Sequence, residues 1–191
     1  MDRDTFVVER QIGRPPRGTV RVAARCAFGY PTVVAVDPFV DAEKPGRTAE
    51  PFPTRYWLTC PVLREQVSRL ESGGLLRRLD REIAADPALC EAVDADHDRY
   101  AAERYAGMDA AARARAAATG VEPVLRDTGV GGVRRRGRLK CLHAHYAHHL
   151  VSGNTVGALL DERYELRECP ANDVRCRAFE PESATDADGG S

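Results

Sequence analysis

The stretch Lys140-Cys141-Leu142-His143-Ala144-His145-Tyr146-Ala147-His148-His149-Leu150 constrains this chain most. It concentrates four of the five histidines and one of the six cysteines. Read as a helix, it places Cys141, His145 and His148 on one face, because positions i, i+4 and i+7 fall within about a sixth of a turn. His149 then sits on the edge of that face and His143 points to the other side. No reaction follows from these residues alone, but this is where chemistry is to be expected.

The rest of the chain bounds the alternatives. At 191 residues, 43% apolar and 30% charged, it suits one compact soluble domain with a sizeable core. A net charge of −1 supplies no global field for nucleic acid or anionic membrane, so either partner needs a local patch. No apolar run approaches the roughly 18 residues that span a bilayer. Met1 to Arg10 lacks the apolar core of a signal peptide, which makes the cytoplasm the expected compartment. There, six cysteines argue for thiols, thiolates or metal ligands over a disulfide framework. Cys26, Cys60, Cys90, Cys141, Cys169 and Cys176 are irregularly spaced and include no C-x-x-C pair. A metal site would therefore be assembled from distant segments.

Along the chain, residues 1–18 read as an N-terminal extension ending in breakers, Gly13 to Gly18. Thr19–Ala24, Thr32–Val36 and Arg55–Thr59 are expected strands, and Asp41–Pro53, with three prolines, an exposed loop. Thr59-Cys60-Pro61 opens a helix with Leu63, Val67 and Leu70 inward, ended by Gly73-Gly74. A second helix carries Leu75, Leu76, Leu79 and Ile83 up to Asp86-Pro87. The longest runs from Ala88 to about Ala118, with Leu89, Val93, His97, Tyr100, Arg104 and Met108 inward and Gly107 as the place to bend or split it. Gly120 to Arg138 is irregular, the histidine helix ends near Ser152-Gly153-Asn154, and a short helix covers Val156 to Tyr164. Residues 19–170 form the expected domain and 171–191 a polar, acidic, disordered tail. The fold class is α+β: a small N-terminal antiparallel sheet packed against a mainly helical remainder.

Several segments together resemble one family. These are Arg25-Cys26 with Gly29 and Pro31, Pro51-Phe52-Pro53-Thr54, Tyr56, Leu58-Thr59-Cys60-Pro61 and Leu70-Glu71-Ser72-Gly73. His97 with Tyr100 and Arg104, and Lys140-Cys141-Leu142-His143 with Ala147-His148, complete the set. The family is the bacterial domain of unknown function 501, and the likeness spans roughly Val20 to Asp161. It implies a small cytoplasmic protein with no established activity. Such proteins are often encoded near a septum-formation initiator and an exopolyphosphatase-like phosphatase, which suggests a protein partner linked to cell division. Ala27-Phe28 stands where the family pattern commonly has Pro-Cys, and His145 where it often has an apolar residue.

Four constellations carry candidate chemistry. Cys26, Cys60, Cys141, His145 and His148 are candidate ligands of a transition metal, zinc first, in a structural or catalytic role. Unligated buried thiols and a disulfide are the competing accounts. Cys60 at a helix N-terminus could instead be an activated thiolate, paired with His148, or Cys141 with His145, in a thiol enzyme. Gly131, Gly132, Arg134, Arg136 and Lys140 could bind an anion, either a phosphorylated ligand or nucleic acid, in a regulatory protein without catalysis. His97, Tyr100 and Arg104 either line a pocket or are core polar groups paired with a carboxylate such as Asp37 or Glu71.

Overall fold

The structure, a computed structural model, describes residues 2–16, 20–40, 50–134 and 136–180. Thr19, most of the loop expected at Asp41–Pro53, Arg135 and the acidic tail from Pro181 lie outside the described residues. Among these residues there are eight α-helices and a three-stranded antiparallel sheet near the N-terminus, an α+β fold.

Helix α1 (Arg3–Ile12) occupies the segment read from sequence as an extension. Asp2 caps it by accepting from the Thr5 amide, and Gly13 closes it in the left-handed region at φ 74°. Val7 and Val8 are buried, so α1 belongs to the body. Strand β1 (Val20–Arg25) pairs with β2 (Pro31–Val36), and β2 with β5 (Tyr56–Leu58), in the order β1-β2-β5. The short β3 (Phe39–Val40) and β4 (Glu50–Pro51) form a separate ribbon.

Every residue of β2 is buried, because the sheet is covered on both faces. Alternation sorts its side chains. Val34 and Val36 pack with Val8, Ile12 and Trp57 on the α1 side, while Val33 and Ala35 join Tyr56 and Leu58 in the main core under the other helices.

That helical layer begins with α2 (Pro61–Ser72) and α3 (Leu75–Ala85), whose buried residues are those the apolar spacing predicts. The long helix divides at Gly107 into α4 (Pro87–Ala106) and α5 (Ala110–Ala118). A Cβ at Gly107 would overlap the Arg55 guanidinium, so the break is where backbone must pass close to that side chain. Helix α6 (Glu122–Asp127) and a 3₁₀ turn at Val130–Gly132 order part of the segment expected to be irregular. Helices α7 (Leu142–Ser152) and α8 (Thr155–Tyr164) pack together, with α7 also lying on the sheet. Asn154 caps α8, its carbonyl oxygen accepting from the Gly157 amide at 3.1 Å. A last 3₁₀ turn, Arg175–Phe179, docks against α1 and buries Cys176.

The inward stripe of α4 is polar where it crosses α6. Arg104 is 1% exposed, and its guanidinium donates to the carbonyls of Leu125 (2.6 Å), Thr128 (2.6 Å) and Pro53 (2.7 Å). Burial lowers its pKa to about 10, so it stays charged at neutral pH against the carbonyl-rich end of α6. Neither Asp37 nor Glu71 is its partner. His97 accepts from the Val130 amide at Nδ1 (3.0 Å), which leaves Nε2–H to donate to the Arg138 carbonyl (3.0 Å).

Two expected results follow for His97. A Cβ at Gly129 would overlap its ring, so Gly129→Ala should lose about 1–3 kcal/mol by overpacking. A variant as stable as wild type in urea denaturation would contradict that fit. Burial holds the His97 pKa below its ordinary 6.5, while protonation is free to occur in the unfolded chain. Its stabilising contribution is therefore complete above pH 6.5 and lost as pH falls below that value. The slope is at most about 1.4 kcal/mol per pH unit, and His97→Gln should flatten it. Identical slopes for the two proteins, read from unfolding at a series of pH values, would rule this out.

Candidate functional site

Cys141 is the N-cap of α7, not part of it, and its backbone is extended at φ −156°, ψ 121°. The helical projection that would align it with His145 and His148 therefore does not apply. Its thiol turns instead to His143, with Sγ 3.9 Å from Nδ1. Glu71, in the last turn of α2, completes the group. One of its oxygens lies 3.1 Å from His143 Nδ1, and the other accepts the Leu142 amide at the unsatisfied N-terminus of α7. Among the described residues, only Glu71, Cys141 and His143 bring three such donor atoms within 4.8 Å of one another.

The far side of the imidazole fixes its tautomer. Nε2 lies 3.3 Å from the Arg64 carbonyl and 3.0 Å from Ser68 Oγ, and a carbonyl can only accept, so Nε2 carries hydrogen. In the neutral ring the Nδ1 lone pair then faces Cys141 and Glu71. Burial pulls the His143 pKa down, but hydrogen bonds and charge from Cys141 and Glu71 outweigh it and raise it to about 9. Burial pushes the Glu71 carboxyl up, yet its bonds to His143 and the Leu142 amide leave it below the usual range. The cluster thus holds its carboxylate ionised and draws positive charge between carboxylate and sulfur.

Cys141 and His143 line a cavity of about 430 Å³ together with Ile12, Arg14, Tyr56, Trp57 and Arg64. Gly131 and Lys140 also line it, but the remaining candidate anion ligands do not. Gly132 packs against Pro53. Arg134 and Arg136 border a different cleft, of about 50 Å³, beside His97, and Arg136 pairs with Asp98 at 2.9 Å. The candidate anion ligands are thereby divided between two cavities, Gly131 and Lys140 at one and Arg134 and Arg136 at the other.

His145 and His148 lie in the core, both 0% exposed. Asn154 bridges them. Its oxygen lies 3.3 Å from His145 Nδ1 and its amide donates to His148 Nδ1 at 3.2 Å. His148 stacks on Tyr56, whose hydroxyl donates to Glu103 at 3.0 Å, and Nε2 of His148 lies 3.6 Å from the same carboxylate. Tyr100 is enclosed against His148, its hydroxyl accepting the Arg55 amide at 2.7 Å. These groups lie in the core with Arg104, and Nε2 of both His145 and His148 is buried without a hydrogen-bond partner among the described residues.

Cys26 and Cys169 pack around Cys176, whose thiol is pushed up first by burial, against a hydrogen bond from Gln11, with Cys169 and Cys26 adding to the rise. Cys60 feels Cys176 and Cys169 in the same way. Cys26 belongs to the cluster around Cys176, whereas Cys60 lies in the main core that Cys141 packs against; neither joins the Glu71, Cys141 and His143 group, and all six cysteines are free thiols. Burial pushes Cys60 up to about 11, against the pull of the Val62 and Leu63 amides. Desolvation outweighs the helix N-terminus at this position, which leaves Cys60 a protonated thiol.

The family described as "Protein of unknown function (DUF501)" matches residues 22–162. No curated protein and no solved structure matches the chain. Among the described residues no helix is long and apolar enough to cross a membrane.

Proposed function

We propose that the chain, which belongs to the DUF501 family, binds one transition metal ion, zinc, through Cys141 Sγ, His143 Nδ1 and a Glu71 carboxylate oxygen. The observation that carries this reading is the convergence of these three donor atoms within 4.8 Å beside the cavity. The donor set suits zinc, which takes sulfur, imidazole nitrogen and carboxylate together. The Nε2 contact with the Arg64 carbonyl is the outer support that a metal-bound imidazole needs. Three protein ligands leave a fourth position for water or a ligand, the pattern of a catalytic site more than of a closed structural one. Bound there, zinc would polarise a ligand oxygen or acidify a water.

Protein purified without chelator should carry about one zinc per chain and release it to a strong chelator or to acid, since thiolate and imidazole must be unprotonated to bind. Metal-free protein that takes up no zinc would end this reading.

A second reading is favoured by one contact. Cys141 Sγ lies 3.9 Å from Nδ1 of His143, and a cysteine beside a histidine is the pairing that nucleophilic thiol catalysis uses. It predicts that iodoacetamide modifies Cys141 ahead of the other cysteines and that added zinc gives no protection. Protection by zinc supports the metal assignment.

A further inference from the structure

The cavity beside the cluster has a composition of its own. Its lining includes Arg14, Arg64 and Lys140 and contains no aspartate or glutamate. None of these three cations has a carboxylate partner among the described residues. Arg64 donates to the Gln11 carbonyl at 2.8 Å, and Arg14 lies 5.3 Å from the centre of the Trp57 ring. Lys140 packs along Gly131, where φ of +66° suits glycine, and both residues line the cavity. Ile12, Trp57 and Leu58 add apolar lining to the same cavity.

Charge decides what fits such a space. A divalent ion held by one thiolate, one carboxylate and a neutral imidazole is neutral overall, so the three cations are left uncompensated. Low-dielectric walls strengthen their field. An anion with two charges and several acceptor oxygens answers three cations better than a single carboxylate does. The apolar lining offers contact for an organic group, and about 430 Å³ accommodates a small molecule.

We infer that the cavity binds a phosphate monoester, its phosphoryl group held by Arg64, Lys140 and the open metal position, its organic group against Trp57 and Leu58. This rests on the metal reading above, and the two can fail separately.

The test is calorimetric titration of the zinc-loaded chain with phenyl phosphate, benzoate, phenol and inorganic phosphate, with zinc content measured on the same sample. Phenyl phosphate should bind at least about tenfold more tightly than benzoate or phenol, because charge-assisted bonds to a dianion dominate. It should also bind more tightly than inorganic phosphate and weaken as salt is raised. Lys140→Gln and Arg64→Gln should each reduce that affinity about fivefold or more while zinc content is unchanged. Phenyl phosphate binding no better than phenol, or equal binding of benzoate, overturns the inference. So does affinity indifferent to both substitutions. Zinc retained without phosphate binding removes only this inference, whereas absence of zinc removes the metal reading and leaves phosphate binding to be judged by the same comparisons.

Discussion

Replacing Arg104 with methionine should lower the unfolding free energy by about 3–5 kcal/mol, far more than an ordinary surface change. The side chain is enclosed, and its three bonds of 2.6–2.7 Å join α4 to the end of α6 and to Pro53 just before β5. Methionine fills similar volume but leaves those carbonyls buried without a donor, and each such acceptor costs about 1–3 kcal/mol. Some relaxation of α6 toward water would reduce the sum, which is why the total is set below the simple addition. Arg126→Met is the matched control: Arg126 is exposed and pairs with its neighbour Asp127, so its loss should be within about 0.5 kcal/mol. Urea denaturation of the two variants decides the matter, and similar midpoints would show that Arg104 does not tie these elements together.

The second large effect concerns the histidines of α7, which should separate into two classes. His143→Ala, Cys141→Ser and Glu71→Gln should each weaken zinc binding by about tenfold or more, because each removes or blunts one ligand. His145→Ala and His148→Ala should leave zinc binding intact and instead cost about 2–4 kcal/mol of stability. They open space in the core and strip Asn154 of partners while it still caps α8. Measuring zinc affinity and thermal unfolding on all five variants gives the crossed pattern. Zinc loss in the His145 and His148 variants, with His143→Ala unaffected, would restore the simple helical face.

That crossed pattern also marks where sequence periodicity stops being informative. The apolar stripes of α2, α3 and α4 follow a period that elementary helix geometry imposes, so Leu63, Val67, Leu79 and Val93 point inward as their spacing predicts. Helix α1 is harder to see, because its apolar stripe is short; Asp2 three residues before Thr5, and Gly13 at the other end, are the capping signals that identify it. The candidate site is only half legible. Cys141 stands out by composition, but a cap residue leaves the helical repeat, and counting it inside the helix reverses its relation to His143. Glu71 lies in another helix, and only the packing of α2 against α7 brings it to the cluster. Arg14 and Trp57 likewise meet at the cavity because α1 covers the sheet, an arrangement no local pattern encodes. His145 and His148 attract attention as inward polar groups, yet Asn154 engages Nδ1 of both, while Nε2 of each is buried without a hydrogen-bond partner among the described residues.

The central claim is best tested by X-ray absorption at the zinc edge on the zinc-loaded chain. The account predicts a first shell with one sulfur at about 2.3 Å and the remaining nitrogen and oxygen ligands at about 2.0–2.2 Å. Removal of the sulfur contribution by Cys141→Ser would place that atom. A shell of several sulfurs would contradict the account and move the metal to the thiols around Cys176; a shell with no sulfur would contradict it outright.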